Sequence, residues 1–583
     1  MSHTVGLLPR NQEEEGTMDP TPAQAPNNHR WERHWFDRFP CDAPSGVPYP
    51  YAPISVFLED AARRFPEQPG CTLYGKRTSY AELDQQSRRL ARGLADMGAR
   101  PGRFVGLLLP NIPEYLTALQ ATWLTGATVL QLSPLMVAEE IDHWLKMTGC
   151  HIVVTLDLLA PAVTASFSDN GPLEHVVITS LVKRVAMWKS LLYRVERMRR
   201  NGKLTMREDA HHHLFDHVLE HEPFAETPAI IPGDDVAVLC PTGGTTASPK
   251  AVMLTHRNLV SNAMQLRHWC GGTDATEGVL GVLPFFHAYG LMVSVLTTWA
   301  RAGTVHLHPR FEAAATVEIL EREKPSLVPA VPAVLHALNR VLMRKPNKHD
   351  LSFIRAIISG ASALDAVTRE AFERFYPQNI LEGYGLSEAS PVTHANPTGV
   401  DNRPGTIGWP LVDTQARIVD ADTGKTELPN GEVGELVIRG PQVMKGYYKN
   451  PEATEAVVRD GWLHTGDMAK RDAANYFTIV DRKKDIIKTS GFLVYPGEVE
   501  EVLRRYPPIA EVAVIGVPDA DRGEVVKAMI VPKNGKFDRR ELDTFCTEHL
   551  SKHKRPREVE IVRELPKNFL GKIMRRKLRE ASH

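Results

Sequence analysis

From about Pro53 to Asp235 the chain alternates between two textures. In stretches such as Tyr80 to Met97, apolar residues recur every three to four positions. In others, such as Phe104 to Leu109 and His151 to Thr155, they form short unbroken runs. The first period predicts helices that bury one face, and the second predicts strands buried on both faces. Together they predict parallel sheets covered by helices. The alternation resumes at Val236 and continues to about Gly360, as in Ala237 to Cys240, Gly303 to His308 and Ala356 to Ser359. Near Gly405 it gives way to short strands, Gln415 to Val419, Gly434 to Arg439 and Phe477 to Asp481, parted by turn residues such as Asn430 and Gly431. That texture predicts a small antiparallel β unit. After the basic run Arg482, Lys483, Lys484, the pattern predicts helix Pro496 to Tyr506, strands Ala510 to Val517 and Val525 to Pro532, helix Arg539 to Leu550 and strand Glu558 to Val562, a compact α+β domain.

The long uncharged stretch Gly278 to Ala300 could span a bilayer by length, but Pro284, His287 and glycines interrupt it. It predicts instead a strand, a turn and the start of a buried helix. A length of 583 residues exceeds one ordinary core, so more than one domain is expected. With 24% charged residues and a net charge of -1, the whole molecule has no general attraction to nucleic acid or anionic membrane. The six cysteines include no C-x-x-C pair, which points away from disulfide or cysteine-zinc frameworks and toward a cytoplasmic protein. Met1 to Arg30 is polar, lacks a signal-peptide pattern and reads as a disordered tail.

Chemistry concentrates first at Pro241, Thr242, Gly243, Gly244, Thr245, Thr246, Ala247, Ser248, Pro249 and Lys250, between an apolar strand and a helix expected near Thr255. Small residues admit phosphate oxygens to backbone N–H groups, hydroxyls add donors or a metal ligand, and the lysine adds charge. The spacing is not that of a Walker A loop. The GKT at Gly424, Lys425 and Thr426 has Val419 in place of the first glycine and reads as a hairpin turn. His213, His217 and His221 recur at four-residue spacing on an expected helix, but no H-E-x-x-H accompanies them. Ser362 lacks the second glycine of a nucleophile elbow.

Further motifs follow in order: Leu283 to His287, Ser359-Gly360-Ala361, Gly383-Tyr384-Gly385-Leu386-Ser387-Glu388, Trp462 to Asp467, Asp481-Arg482, and Pro566 to Lys572. With the Thr242 loop, this series resembles the adenylate-forming superfamily of acyl-CoA synthetases, luciferases and peptide-synthetase adenylation domains over roughly Pro53 to Leu578. It is most similar to bacterial long-chain fatty acid:CoA ligases. The resemblance implies two α/β subdomains and a β subdomain followed by a mobile α+β domain, with boundaries at 31–481 and 482–583. It also implies ATP, Mg²⁺ and CoA. Lys572, Glu388 and His287 would be catalytic; Thr242, Gly243, Gly244, Thr245, Thr246 and Lys250 would hold phosphates; Gly360, Ala361, Gly383, Tyr384, Gly385 and Ser387 would line the adenine site. Asp467 and Arg482 would take the ribose, Thr245 and Glu388 the metal, Lys484 would be the hinge, and Gly491 and Phe492 would meet CoA. Ala247 and Ala251 replace two glycines of the family's phosphate loop, so a φ above zero at Ala247 would strain it by about 1 kcal/mol.

The implied reaction makes acyl-AMP from a long-chain fatty acid and then acyl-CoA; a medium-chain or aryl acid, or a carrier protein as acceptor, is the alternative. Ala288, Gly290, Leu291, Val293, Val328 and Ala330 are candidates for an apolar pocket. Leu181 to Lys203 carries five arginines and three lysines against Glu196 alone, interleaved with apolar residues. Such a helix suits either a membrane interface, with peripheral contact on the inner face of the membrane, or a solvated basic face packed on the core, and both readings stay open; no nucleic-acid partner is expected, and a dimer stays open.

Overall fold

The computed structural model describes residues 48–167, 171–184, 187–201, 207–226, 228–242, 249–346, 348–376, 378, 380–398, 402–519, 521–533, 537–567 and 571–582. The expected N-terminal tail, the loop residues Gly243, Gly244, Thr245, Thr246 and Ala247, and Asn568 to Leu570 lie outside them.

Two large sheets form the α/β regions. Among the described residues, one has eight strands in the order Gly446–Tyr447, Lys250–Thr255, Val236–Thr242, Thr128–Gln131, Phe104–Leu108, Ile152–Leu156, His175–Thr179 and His212–Leu214. Its strands from Val236–Thr242 onward pair in parallel. The other has nine, with a parallel centre running from Leu381–Gly385 through Ala356–Ser359, Leu327–Ala330, Gly278–Gly281 and Thr304–Leu307 to Pro69–Leu73. Central strands such as Ile152–Leu156 are buried along their whole length, as their unbroken apolar sequence requires. A five-stranded antiparallel unit of Gln415–Val419, Gly434–Arg439, Trp462–Arg471, Val458–Arg459 and Phe477–Arg482 follows. Residues from Ile487 onward build a separate sheet on which helices Pro496–Arg504 and Arg539–His549 pack through Val499, Leu503 and Leu542.

The uncharged stretch folds as expected: strand Gly278–Gly281, a turn, then helical residues Ala288 to Trp299 that pass through a π-helical segment at Leu291–Leu296. Leu291, Met292, Val295, Leu296 and Trp299 are all buried, so protein and not lipid surrounds the apolar segment. Among the described residues no helix is long and apolar enough to cross a membrane.

Two expectations are corrected. The helix expected near Thr255 begins there, at His256 with the Thr255 hydroxyl capping it at Asn258 N, but the Thr242 loop does not run directly into it: the antiparallel strand Lys250–Thr255, register Thr242↔Lys250, intervenes. The loop is therefore the tip of a hairpin, and the helix dipole lies one strand away from it. The three histidines do not share a helix either, since His213 sits in strand His212–Leu214 beside His175 and His217 in the short helix Phe215–Val218. Pairing with the distant strand His175–Thr179 overrides the four-residue spacing.

Gly290 opens the buried helix against backbone: a Cβ there would stand 2.2 Å from Pro284 O. Gly290→Ala should cost about 1–3 kcal/mol through enforced backbone displacement. Chemical denaturation would register it as a lower midpoint; an unchanged midpoint would mean that the turn yields freely.

Candidate active site

A cleft with room for about 70 Å³ opens at the C-terminal ends of strands Ala356–Ser359 and Leu381–Gly385. Ligands bind at that edge of open α/β sheets because loops diverge there and leave a crevice. His287, Gly360, Ala361, Gly383, Tyr384, Gly385 and Ser387, far apart in sequence, all line it. Leu266, Trp269, Val293, Leu381 and Val392 make much of the remaining wall apolar. Of the residues singled out for an acid pocket, Val293 reaches the cleft, whereas Ala288, Leu291, Val328 and Ala330 are core residues outside its lining.

The aromatic segment is held from the other sheet. Asn111, just beyond strand Phe104–Leu108, donates to Gly281 O and Leu283 O at 3.0 and 2.7 Å and accepts from Phe285 N, while Tyr115 donates to Phe285 O. His287 caps the following helix, its Nδ1 accepting from Tyr289 N at 3.4 Å. Burial pushes its pKa down to about 4, so it stands in the cleft as a neutral ring. Tyr289 spans the cleft to donate to Ile358 O at 3.1 Å; a Cβ at Gly360 would lie 3.0 Å from its ring, which is why glycine suits that position.

Asp467 is the electrostatic centre. It is buried on strand Trp462–Arg471 and bound by the Arg482 guanidinium at 2.7 Å and the Tyr384 hydroxyl at 2.5 Å. Burial raises its pKa, with Arg482 and Tyr384 acting in the opposite sense. Burial works most strongly against the charge on Arg482, but Asp467, Tyr384, Glu388 and Asp485 together outweigh it and the guanidinium is held above its ordinary range. The three residues expected to take ribose and adenine are thus already joined, with Tyr384 fixed at its hydroxyl and its ring along the cleft wall.

Lys572 belongs to the same cluster. Desolvation first, then Arg482, lower its pKa below that of an ordinary lysine, and Asp467 partly offsets them. Its loop is pinned by Arg575, which binds Glu500 at 2.8 Å and Asp481 at 3.2 Å, with Asp485 at 3.5 Å; Arg579 also binds Asp485. The basic tail around Lys572 is therefore partly an internal ion network, unreadable in sequence because its acids lie 75 to 94 residues earlier. Lys484 lies beside Asp485 in that network, and desolvation holds its proton affinity below an ordinary lysine's despite Asp485.

At the opposite end of the Gly383–Glu388 segment, Glu388 Oε1 accepts from the Tyr447 hydroxyl at 2.7 Å. Its other oxygen has no partner among the described residues. A carboxylate with one free oxygen fits Mg²⁺, which takes one or two carboxylates together with phosphate oxygens. Thr245, the implied hydroxyl ligand, lies outside the described residues. Lys250 Nζ stands 4.9 Å over the ring of Tyr447, which burial and then Glu388 keep protonated. Ala251 is an ordinary buried strand residue without positive φ, so the missing glycine there brings no strain. Ser490 and Gly491 form the turn of hairpin Ile487–Val494, where φ values of 49° at Ser490 and 83° at Gly491 account for the glycine locally; the exposed Phe492 opens the second strand opposite Thr489 and stacks on His553.

Asn111, Tyr115, Tyr289, Tyr447 and Arg575 went unread in sequence, because each acts on a partner from a distant segment.

The comparisons with known proteins accord with this geometry. The model of the AMP-binding enzyme family matches residues 58–448, and that of the AMP-binding enzyme C-terminal domain matches 498–572. A long-chain-fatty-acid–CoA ligase of Bacillus subtilis is 38% identical over 94% of this chain and 98% of its own. A feruloyl-CoA synthase of Amycolatopsis is 34% identical over 89% and 96%. Among solved structures, ATP-bound MatB from Rhodopseudomonas palustris superposes with a TM-score of 0.78 at 29% identity, covering 91% of this chain and 99% of that one. The anthranilate CoA ligase AuaEII in complex with anthranoyl-AMP gives 0.79 at 25%, covering 92% and 98%. The chain belongs to the AMP-binding enzymes, the adenylate-forming acyl-CoA ligases for which ATP and CoA are fitting substrates, and it carries both the main and the C-terminal domain of that family.

Proposed function

We propose that the protein converts a long-chain fatty acid to acyl-AMP and then to acyl-CoA, releasing pyrophosphate and AMP. The observation that carries this reading is that Tyr384, in the wall of a largely apolar cleft, is bonded to the Asp467 of the Asp467, Arg482 and Lys572 cluster, while Ser387 of the same wall is followed directly by Glu388. In the first step a carboxylate oxygen of the acid attacks the α-phosphorus and pyrophosphate leaves. Two anions approach one another there, and the Lys572 ammonium stabilises the charge that develops. Tyr384 packs on the adenine, Asp467 accepts from the ribose hydroxyls and Lys250 neutralises phosphate. Bound Mg²⁺, held by Glu388, would neutralise further charge on the triphosphate. In the second step the CoA sulfur attacks the acyl carbon and AMP leaves. Lys484 is the proposed hinge at the 481/482 boundary about which the C-terminal domain turns to bring Gly491 and Phe492 to the pantetheine.

A second reading, an aryl or hydroxycinnamic acid, is favoured by the feruloyl-CoA synthase relative and by Trp269 and Tyr289 in the cleft wall. Pyrophosphate release with palmitate and with ferulate, each with CoA, separates them: the proposal expects kcat/KM at least ten times higher for palmitate, and the reverse order would install the aryl reading. Lys572→Ala should slow adenylation by about 10² to 10³-fold with ATP binding largely retained. Because surrounding protein and Arg482 lower the Lys572 pKa, the charged form is lost at a lower pH than for a free lysine. Single-turnover adenylation should thus fall on an alkaline limb below the ordinary lysine pKa, and Lys572→Arg should move that limb upward; a limb unmoved in the arginine variant would assign it elsewhere.

The helix Met187–Asn201 supports a fatty acid taken from a membrane. Tyr193 and Arg197 fasten one side of it to the fully buried Asp157, Arg197 at 2.8 Å. The other side exposes Leu191, Leu192 and Val195 by 65%, 61% and 57%, flanked by exposed Arg194 and Arg199. Apolar side chains beside arginines suit an anionic lipid surface, which would put the protein on the inner face of the membrane in the cytoplasm. Replacing Leu191, Leu192 and Val195 with serine should abolish co-flotation with phosphatidylglycerol liposomes without changing activity on soluble decanoate. Undiminished flotation would dismiss this role.

A further inference from the structure

Tyr447 belongs to none of the motifs that marked the site, yet its side chain meets two of the groups on which phosphate chemistry would rest. Its hydroxyl donates to Glu388 Oε1 at 2.7 Å, and its ring lies 4.9 Å beneath Lys250 Nζ. Glu388 follows a strand of the nine-stranded sheet, whereas Lys250 opens a strand of the eight-stranded one. Residues 441 to 448 bridge the two. Met444 N donates to Glu388 O at 2.8 Å, strand Gly446–Tyr447 pairs with Lys250–Thr255 in the register Tyr447↔Val252, and Asn258 donates to Pro441 O and Val443 O, both at 2.8 Å. Tyr447 N also donates to Thr454 Oγ1 at 2.9 Å. The backbone of Tyr447 is therefore fixed on several sides before any ligand arrives.

We infer that Tyr447 is a positioning residue of the metal–triphosphate site: its hydroxyl holds the Glu388 carboxylate by one oxygen, leaving the other free for a divalent cation, while its ring supports Lys250. The inference rests on the role given to Glu388 under the proposed function. A carboxylate on a flexible side chain must be ordered when a cation binds, and a buried neutral donor supplies that order in advance at no electrostatic cost to the remaining oxygen. The ring face does the same for the lysine, since an aromatic surface attracts an ammonium without neutralising it.

Phenylalanine fills the space of Tyr447 and keeps the ring under Lys250, so Tyr447→Phe isolates the hydroxyl, and leucine removes both contributions. Calorimetric titration with ATP in EDTA, with MgATP, and Mn²⁺ binding followed by electron paramagnetic resonance in the presence of ATP provide readouts independent of turnover. Tyr447→Phe should weaken MgATP and Mn²⁺ binding about tenfold, the scale of one hydrogen bond to a charged group, and leave metal-free ATP within about twofold of wild type. Tyr447→Leu should in addition weaken metal-free ATP several-fold. In a Glu388→Gln background, Tyr447→Phe should add nothing to the loss of metal affinity. Equal weakening of ATP and MgATP by Tyr447→Phe, full additivity with Glu388→Gln, or a phenylalanine variant that binds Mn²⁺ like wild type would each overturn the assignment while leaving the role of Glu388 intact. If wild type itself bound ATP no better with Mg²⁺ than without, the role of Glu388 would fall, and this inference with it.

Discussion

The site is organised around one buried carboxylate. Taking Asp467 out of water is unfavourable unless charge and hydrogen bonds replace the lost hydration. Here Arg482 and Tyr384 provide them, and Lys572 adds a third, more distant influence. These partners come from different bodies: Tyr384 from the nine-stranded sheet, Asp467 and Arg482 from the antiparallel unit, and Lys572 from the segment after the C-terminal sheet. A single charge in a poorly hydrated place thereby adds a polar tie between regions that elsewhere pack through apolar and aromatic side chains such as Trp409 on Tyr476. The same cluster is what a nucleotide would meet, so the folding requirement of Asp467 and the reactive geometry coincide.

Around that centre, polar side chains carry position from one sheet to the other. Asn111 and Tyr115 reach from the eight-stranded side to hold the backbone of the aromatic segment, and the Pro441 to Tyr448 bridge joins the Glu388 turn to the phosphate hairpin. These groups are buried and hydrogen-bonded, so shifting one requires breaking bonds that water cannot replace. The C-terminal domain is tied differently. Arg575 binds Glu500 and Asp485 on its own side of the proposed hinge and Asp481 on the other, so a rotation there would keep two of the three carboxylates and exchange one for solvent. An ion pair exchanged for solvent at modest net cost is compatible with the domain rotation proposed above.

The apolar character of the cleft and the exposed face of helix Met187–Asn201 belong to one line of argument about substrate. A cleft lined by Leu266, Val293, Leu381 and Val392 offers little to a polar acid, and the basic helix with outward leucines is the surface to which the proposed function assigns the collection of an amphiphile. Trp269 and Tyr289 add flat aromatic wall, which is where the competing aryl reading takes its strength.

How much of this was legible in the sequence follows from the range of the interactions concerned. Unbroken runs such as Ile152–Leu156 announced strands because burial on both faces leaves no polar position, and the strands of the antiparallel unit and the strands and helices after Pro496 emerged within a few residues of their expected bounds. The uncharged stretch from Gly278 was read as buried for the same local reason: proline and glycine interrupt a membrane span. The ordered motifs named the family and part of the cleft wall, since backbone and phosphate chemistry restrict residue types locally. Pattern failed where pairing partners lie far apart. Nothing near Lys250 says that its strand turns back on Val236–Thr242, nothing around His213 reveals that His175–Thr179 will pair with it, and nothing about Tyr447 or Arg575 names Glu388 or Glu500 as a partner. The sequence by itself determined the elements, the family and the chemical types at the site; the tertiary structure decided which charges meet, because those contacts depend on how separate sheets pack and not on spacing along the chain.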